Sequence, residues 1–452
     1  MAEALALRAD GIGRPSARRR PSARRYPAWP VYLLFLGLPL WWVLGISHFM
    51  WPVLAGFMAL SLLVRRGVRI PGNFVIWALY LAWMLASAVA IDSMGRMMGF
   101  GLRFAFYAAA GVFFLYLYNS RQISSRAIAF ALGGCWVLVV VGGYLGVLFP
   151  EVAFHTPIER IIPGSLLANE YVRDMTFARF SELQIFLGQP VGRPAALFTY
   201  TNGWGSAFGL MAPFAVAALV QTRSAVRRRA LEATMVLSLV PVAFSLNRGL
   251  WVSLVVGGLY AIVRFWGSRN AARAVLALAV VAVAALIIAV TPLGGFVGQR
   301  FYQGASNAAR ESLYVETFAR VEGSPLVGYG APRPAESSGY LDSVGTQGQV
   351  LYLVFSHGFP GLILFFAWLG HAFLRSTRSA TPAARAGHVA LLIAAVQAPF
   401  YGLLMQMFVI AAAAAVALRP ELPAPARAVP TAAGSGPEPG GSPPAYAHTG
   451  AS

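Results

Sequence analysis

The sequence contains no lysine, a single cysteine and few charged residues of either sign. Charged residues occupy 11% of the 452 positions, whereas soluble domains average about 25%. Cys135 alone cannot form an intramolecular disulfide or a cysteine metal cluster. Many of the 35 arginines stand where lysine would serve equally well, so this bias carries no functional weight. With 58% hydrophobic residues, the composition is typical of a polytopic membrane protein.

Long apolar runs recur between residues 31 and 418. A helix needs about 20 apolar residues to cross a bilayer, and shorter helices occur inside bundles. The runs predict an all-α polytopic membrane protein with about twelve transmembrane helices and both termini on the same side. They cover residues 31–47, 51–64, 74–91, 98–118, 127–149, 203–221, 230–246, 250–266, 274–292, 349–374, 387–402 and 404–418.

Arginine is distributed unevenly between the two sides that this map defines. If the N-terminus is cytoplasmic, the inner segments carry 24 arginines and five acidic residues, and the rest of the chain carries 11 of each. This asymmetry follows the positive-inside rule and accounts for the whole formal charge of +19. We therefore expect a multi-pass protein of the cytoplasmic membrane, with both termini cytoplasmic and no nucleic-acid partner.

The two ends of the chain differ in composition from the middle. Residues 1–30 are rich in arginine, and no apolar segment with the cleavage site of a signal peptide follows them. Residues 419–452 are rich in proline, alanine and glycine. We expect both segments to be disordered cytoplasmic tails, the first of which contacts anionic membrane lipid.

Two predicted outer loops, about 150–202 and 293–348, are much longer than the others. Long loops inside compact proteins are commonly functional. The first loop contains five prolines, and its pattern favours a surface helix over Leu166–Ile185.

Arginines in the outer segments are the strongest candidates for chemistry, because a charge beside a bilayer is costly and usually has an anionic partner. Arg193 precedes the sixth run, Arg248 lies between the seventh and eighth, and Arg310 lies in the second long loop. A guanidinium binds phosphate oxygens through a bidentate fork, so several in one cavity would hold a diphosphate without metal. The alternatives are a headgroup contact for Arg248 and pairing of Arg310 with a neighbouring glutamate.

Arg96 and Arg103 flank the start of the fourth run and are seven residues apart, which places them on one helical face. Binding of lipid phosphate, contact with headgroups and pairing inside the protein all remain open for this pair.

Asn202 directly precedes the sixth run, which begins with Gly203 and contains Gly205. Asn202 fits the N-cap of a helix, and the glycines would allow close helix packing. A helix N-terminus also attracts phosphate, so this structural role is compatible with a binding site beside Arg193.

The sequence contains no His-x₃-His or His-Glu-x-x-His spacing, no phosphate loop and no Gly-x-Ser-x-Gly motif. It therefore supports neither a metal nor another cofactor. A general base would have to lie near the outer arginines, although each candidate can equally be an ordinary loop residue. The candidates are Asp342, Glu336, Glu170, Glu182 and His155.

Four segments, taken in order, resemble the O-antigen ligase and polymerase family of membrane glycosyltransferases. Arg193-Pro with Asn202-Gly-Trp-Gly205 resembles the family's arginine followed by Asn-Pro-Asn-x-x-Gly, and Ser245-Leu-Asn-Arg-Gly249 resembles its Ser-Arg-Gly. Arg310 with Ser324-Pro-Leu-Val-Gly-Tyr-Gly330 resembles its Pro-x-x-Gly-x-Gly segment. The stretch from Gln347 to Leu362 resembles its His-Asn-x-x-Leu entry to the tenth helix. The resemblance covers about residues 70–418.

The resemblance implies a metal-independent, inverting glycosyl transfer on the outer membrane face. Residues 31–418 would form a twelve-helix transferase domain. A glycan on an undecaprenyl-diphosphate-type lipid would pass to a hydroxyl of a glycan or glycolipid acceptor. Arg193, Arg248 and Arg310 would hold the diphosphate, whose developing charge they stabilise, and a loop histidine would activate the acceptor.

Gln347 stands where the family has that histidine, and an amide cannot act as a base near neutral pH. Either another residue takes the proton, or the diphosphate leaves so readily that no strong base is needed. Gln347 could still position a hydroxyl by hydrogen bonding, and Asp342 and Glu336 are the other candidates.

Three functions remain in competition. A ligase-like glycosyltransferase leads, and a polymerase that joins repeat units on the same carrier shares its donor chemistry. A transporter or flippase would favour inverted repeats and charged groups at the membrane midplane. The halves of the sequence show no convincing repeat and the arginines gather at the outer ends, so the sequence favours catalysis.

Overall fold

A computed structural model describes residues 26–65, 67–120, 122–167, 170–186, 189–265, 304–336 and 343–420. The chain divides into two units, residues 1–419 and 420–452, and every helix named below belongs to the first. The ninth predicted span at 274–292 and the candidate base Asp342 lie outside the described residues.

Helices dominate the described residues. In chain order they are α1 (Trp29–Leu36), α2 (Leu38–Leu44), α3 (Ser47–Leu63), α4 (Gly72–Ser87), α5 (Met94–Asn119), α6 (Ser125–Leu148), α7 (Gly164–Leu167), α8 (Glu170–Thr176), α9 (Thr201–Gln221), α10 (Ala225–Leu237), α11 (Leu239–Phe244), α12 (Arg248–Phe265), α13 (Gly304–Val321), α14 (Gln349–Arg375), α15 (Pro382–Gln397) and α16 (Met407–Leu418).

Each predicted run within the described residues overlaps one or two of these helices. Six of the described helices are long and apolar enough to cross a membrane: α4 with its extension to Ala90, α5, α6, α9, α12 and α14. Helices α3 and α16 are apolar but shorter. The mostly helical, multi-pass membrane fold is therefore confirmed, and the number of twelve spans stays a prediction.

Proline explains why two predicted runs are each divided into two helices. Pro39 lies in the first turn of α2, and Pro241 lies within α11. A proline ring crowds the carbonyl four residues earlier and removes one helical hydrogen bond. In the first run that carbonyl belongs to Phe35 in α1, and in the seventh it belongs to Leu237, the last residue of α10.

The sequence predicted an all-α fold, but the described residues also contain strands. Three two-stranded antiparallel sheets occur in the described part of the two long loops. They pair β1 (Ala153–His155) with β2 (Phe177–Arg179), β3 (Ser181–Phe186) with β4 (Gln189–Pro194), and β5 (Arg333–Pro334) with β6 (Ser343–Val344).

The surface helix predicted over Leu166–Ile185 is correct only in part. Helix α8 ends at Thr176, and the chain then extends into β2 and β3. Polar and apolar residues alternate along Glu182–Ile185. This period of two fits a strand and not a helix. Leu183 and Ile185 are exposed on one face of the hairpin.

The centre of the bundle is formed by α6, α9, α15 and α16, with α5 beside α16. Every residue from Met407 to Val416 of α16 is buried. Five of these are consecutive alanines, whose small side chains let neighbouring backbones approach closely. Large apolar side chains are exposed on the outer helices, including Phe57 and Leu60 of α3, and such a surface suits contact with lipid.

The segments predicted to be inner contact one another. The Arg126 side chain donates to the carbonyl of Gln221, and Arg264 donates to the carbonyl of Thr377. Arg419 donates to the carbonyl of Ile123 and to the Ser125 hydroxyl. The loops that the charge pattern assigns to one side therefore lie at one end of the bundle.

Candidate active site at the opposite end of the bundle

A cavity of about 400 Å³ lies where the α2–α3 turn, the third and fourth turns of α5, the first turns of α9 and α14, and the α15–α16 turn meet. All of these segments belong to the side predicted to be outer. The volume falls within the roughly 300–1,000 Å³ that is usual for small-molecule sites. The polar lining residues are Ser47, His48, Arg103, Tyr107, Thr199, Tyr200, Asn202, Tyr314, Thr346, Gln347, Gln349, Tyr352, Tyr401 and Gln406.

Arg103 is the one arginine among the described lining residues. Its Nη1 donates to the Gly99 carbonyl at 3.2 Å, one turn earlier in α5. Its guanidinium carbon lies 5.6 Å from the centre of the Tyr352 ring. None of the ion pairs between described residues includes Arg103. Its charge is therefore available to an anion inside the cavity.

Gln349 fixes the start of α14 against the α15–α16 turn. Its backbone N–H donates to the carbonyls of Ala398 and Tyr401, both at 2.8 Å. Its side-chain amide donates to the Tyr107 hydroxyl at 2.7 Å and accepts from the backbone N–H of Leu403 at 3.0 Å. These contacts hold the preceding segment, including Gln347, at the cavity wall.

Gly348 must be glycine in this arrangement. Its φ of 110° lies in the region that disfavours other residues. A Cβ there would lie 2.4 Å from the carbonyl oxygen of Pro399. Gln347, one residue earlier, has its amide 3.4 Å from the Thr346 hydroxyl, on the lining of the same cavity.

Asn247 joins three elements beside the cavity. Its amide donates to the Thr201 carbonyl at 3.4 Å, and its side-chain oxygen accepts from the backbone N–H of Leu250 and from the Tyr401 hydroxyl. The contact with Leu250 is an N-cap of α12. A Cβ at Gly205 would lie 2.4 Å from the Asn247 amide nitrogen, so the close packing expected of Gly205 has a specific partner.

Asn202 does not cap α9, because the helix already begins at Thr201 and its N-cap residue is Tyr200. The Asn202 side chain is exposed and lines the cavity instead. Gly203 also lines the cavity, and its carbonyl accepts a hydrogen bond from the Gln406 amide at 3.1 Å.

Arg193 lies in β4 and is buried, with 4% of its surface exposed. Its Nε donates to the Ser245 carbonyl at 2.8 Å, and its Nη1 lies 3.9 Å from the carboxylate of Glu182, its cross-strand neighbour. These contacts connect the β3–β4 hairpin to the turn before α12. Arg193 is not among the described lining residues of the cavity, and its role as a diphosphate ligand stays a prediction.

Arg248 lies in the first turn of α12, and Arg310 lies in the second turn of α13. Arg248 is half-buried at the start of α12, directly after Asn247. Arg310 lies in α13, four residues before Tyr314, which lines the cavity. Neither Arg193 nor Arg248 is among the described lining residues, of which Arg103 is the one arginine, and the side chain of Arg310 is outside the described part. The convergence of Arg193, Arg248 and Arg310 therefore stays a prediction.

The second long loop is inserted into a break in α14. The helix is interrupted at Gly358, whose φ is 66° and ψ is −175°, and Pro360 follows. The freed carbonyls of Phe355 and Ser356 accept from the backbone N–H groups of Tyr329 and Gly330 at 2.9 and 2.7 Å. The loop thus satisfies the backbone groups that the broken helix leaves unpaired.

Arg96 holds the same loop in place. Its Nε donates to the Pro332 carbonyl at 3.2 Å, and its Nη2 donates to the carbonyls of Tyr329 and Ala331. It also pairs with Asp92, and its hydrogen bond lowers the pKa of that carboxyl below its usual value. Of the three roles left open for Arg96, the structure shows pairing inside the protein.

The candidate bases Glu336, His155 and Glu182 are not among the described lining residues of the cavity. Glu336 is 88% exposed and pairs with Arg320 at 2.8 Å. His155 is also exposed, and its Nδ1 lies 2.9 Å from the Glu159 carboxylate. Glu182 faces Arg193, and Glu170 begins α8.

Two histidines lie closer to the cavity than these candidates. His48, in the first turn of α3, lines it directly. His357 is buried beside it, with Nε2 3.2 Å from the Tyr352 hydroxyl and Nδ1 2.7 Å from the Ser87 hydroxyl. The sequence analysis sought a base in the two long loops and did not include His48. The position of His48 in a predicted outer turn is the sequence feature that could have identified it.

A comparison with protein families matches a segment of the chain that forms part of this site. Residues 233–366 match the O-antigen ligase family model. The matched range includes the Ser245–Gly249 turn, the Ser324–Gly330 loop, Gln347 and the first part of α14, and both Gln347 and Gln349 line the cavity. The resemblance predicted from the motifs is confirmed. The search of curated proteins finds no match to the chain.

Proposed function

We propose that the protein is a ligase-type glycosyltransferase that moves a glycan from an undecaprenyl-diphosphate-type lipid to an acceptor hydroxyl. The proposal is carried by one observation: the cavity that holds the available guanidinium of Arg103 is formed in part by Tyr314, Tyr352 and residues 346–349 of the segment that matches the O-antigen ligase family model. The charge pattern of the sequence places this cavity on the outer face of the cytoplasmic membrane.

In this proposal Arg103 binds the diphosphate of the donor. The acceptor oxygen attacks the anomeric carbon from the face opposite the diphosphate, and the bond between that carbon and the phosphate oxygen breaks with inversion. Negative charge then grows on the leaving diphosphate, and a fixed cation beside it lowers the barrier. As the sequence resemblance implies, the transfer would proceed without a metal.

The rest of the lining suits a lipid-linked sugar. Aromatic faces at Trp51, Phe198 and Tyr352 offer apolar surface to sugar rings, and the amides of Asn202 and Gln347 can hydrogen-bond hydroxyl groups. Leu38, Leu404 and Met405 add apolar wall. A few polar groups in an apolar cavity are typical of small-molecule sites.

A reconstituted reaction tests the proposal. Purified protein in lipid is incubated with an undecaprenyl-diphosphate glycan and a panel of glycan and glycolipid acceptors, with EDTA and without nucleotide. We expect glycan on the acceptor and free undecaprenyl diphosphate in equal amounts. Elongated glycan still attached to the carrier would indicate a polymerase. Failure to bind the donor or to release the carrier with any acceptor would overturn the proposal.

A further inference from the structure

His48 is the one histidine among the described lining residues of the cavity. It is 6% exposed, so the cavity is its main opening. Its Nδ1 lies 3.4 Å from the Ser47 hydroxyl, and its Nε2 lies 3.4 Å from the Thr199 hydroxyl. Both contacts are long for hydrogen bonds to a ring nitrogen, and they leave the imidazole able to take a better partner.

The proposed transfer releases a proton for which the cavity otherwise offers no ordinary base. The acceptor hydroxyl loses its proton as its oxygen bonds to the anomeric carbon. Gln347 cannot take it, and the described acidic residues lie outside the lining. A base must lie within hydrogen-bond reach of the hydroxyl it serves. His48 meets that requirement for an acceptor whose hydroxyl lies beside its ring in the cavity.

We propose that His48 accepts the proton of the acceptor hydroxyl, an inference that rests on the proposed function. As the oxygen–carbon bond forms, the electron pair of the broken carbon–oxygen bond leaves with the diphosphate, and the proton moves from the hydroxyl to a ring nitrogen of His48. The imidazolium then gives the proton to water, which restores the neutral ring. Every bond change is balanced without a redox partner.

The groups around His48 fit this role. Arg103 of α5 is the charged side chain that shares the described lining, and it would hold the diphosphate in the same cavity. Ser47 and Thr199 also line a second, smaller cavity that contains Asp174. The Asp174 carboxylate is engaged by Arg179 at 2.9 Å and by the Tyr200 hydroxyl at 2.6 Å. The other titratable lining residues are Tyr107, Tyr200, Tyr314, Tyr352 and Tyr401.

His48→Gln tests the inference, because glutamine keeps hydrogen bonding but cannot accept a proton near neutral pH. We expect kcat to fall about 100-fold or more, with KM for the donor little changed. The wild-type rate should fall in D2O relative to H2O, because the proton moves to the ring as the new bond forms, and the variant should lose this dependence. His155→Asn is the matched control, because it removes an outer-loop histidine that lies outside the cavity lining.

Further measurements keep the test decisive. His48→Ala should regain activity when free imidazole is added, as a merely structural histidine would not. Full activity of His48→Gln with an unchanged dependence on D2O would overturn the inference and leave the proposed function intact. If both variants fail to fold, a wild-type kcat that is equal in H2O and D2O would overturn it, because the proposed step moves a proton as the new bond forms. Absence of transfer by the wild-type protein would instead refute the proposed function.

Discussion

The carbonyl oxygen of Leu326 lies 1.9 Å from the position that a Cβ at Gly358 would occupy. The backbone of the second long loop therefore enters the break in α14, and the N–H of Phe359 donates to the Pro325 carbonyl at 2.8 Å on the far side of that break. Gln349 begins the same helix at the cavity wall. The loop and the helix thus position the cavity as one unit.

Gly358→Ala should destabilise this unit severely. The backbone conformation of Gly358 is one that other residues rarely adopt and costs about 1–3 kcal/mol, and the clash with Leu326 adds to that cost. We expect a large fall in the unfolding temperature and in the yield of folded protein. Gly370→Ala, in the same helix, is the control, because its Cβ would meet no atom within 4 Å. Similar stability of the two variants would contradict this account of the loop.

The helices could be predicted from the sequence because apolar runs of sufficient length have few other structures open to them in a membrane. The charge pattern also assigns the segments that line the cavity to one predicted side, but it could not show that they meet around a cavity. The sequence pattern did not identify the β3–β4 hairpin, because the helical interpretation of Leu166–Ile185 missed the alternation of polar and apolar residues that begins at Glu182.

The roles of individual arginines could not be predicted, because they depend on partners distant in sequence. Arg96 and Arg103 share a helical face by spacing. The carbonyls that Arg96 contacts, including that of Pro332, lie more than 230 residues away, while Arg103 opens into the cavity. The sequence places Arg193 in a loop. Its burial depends on the strand that contains Glu182 and on the Ser245 carbonyl, which the sequence pattern alone does not bring beside it.

Arg103→Gln should impair catalysis more than folding. Loss of one fixed donor to a developing negative charge typically lowers the rate about 10²–10³-fold, and we expect a fall of this size in kcat/KM for the donor. Arg126→Gln is the matched control, because Arg126 also lies over an aromatic ring, that of Phe130, but at the other end of the bundle. Equal activities of the two variants would remove Arg103 from the site.

Asp92 should make the second loop sensitive to acid. The hydrogen bond from Arg96 lowers the pKa of Asp92. Because the pKa is lowered, the ionised carboxylate stabilises the folded state at pH values above the pKa of about 4 that an aspartate has in the unfolded chain. This stabilisation is lost as the pH falls through the lowered pKa of the folded state. Asp92→Asn should therefore unfold at a lower temperature than wild type at pH 7, and the difference should shrink in acid.

Thermal unfolding of the two proteins at a series of pH values measures this effect. Glu151→Gln is the control, because Glu151 is an exposed carboxylate outside the ion pairs between described residues. A difference between wild type and Asp92→Asn that stays constant with pH would show that the charge of Asp92 does not act on the loop.

Arg193→Met separates the two roles that remain for Arg193. If this arginine mainly connects the β3–β4 hairpin to the Ser245 turn, removal of its guanidinium leaves a buried carbonyl unpaired and costs about 1–3 kcal/mol of stability. We expect this loss, together with weaker transfer that follows from displacement of the turn before α12. Arg160→Met, which alters an exposed arginine of the same loop, should change neither property. Unchanged stability with lost donor binding would instead make Arg193 a direct ligand of the diphosphate, as the sequence resemblance implies.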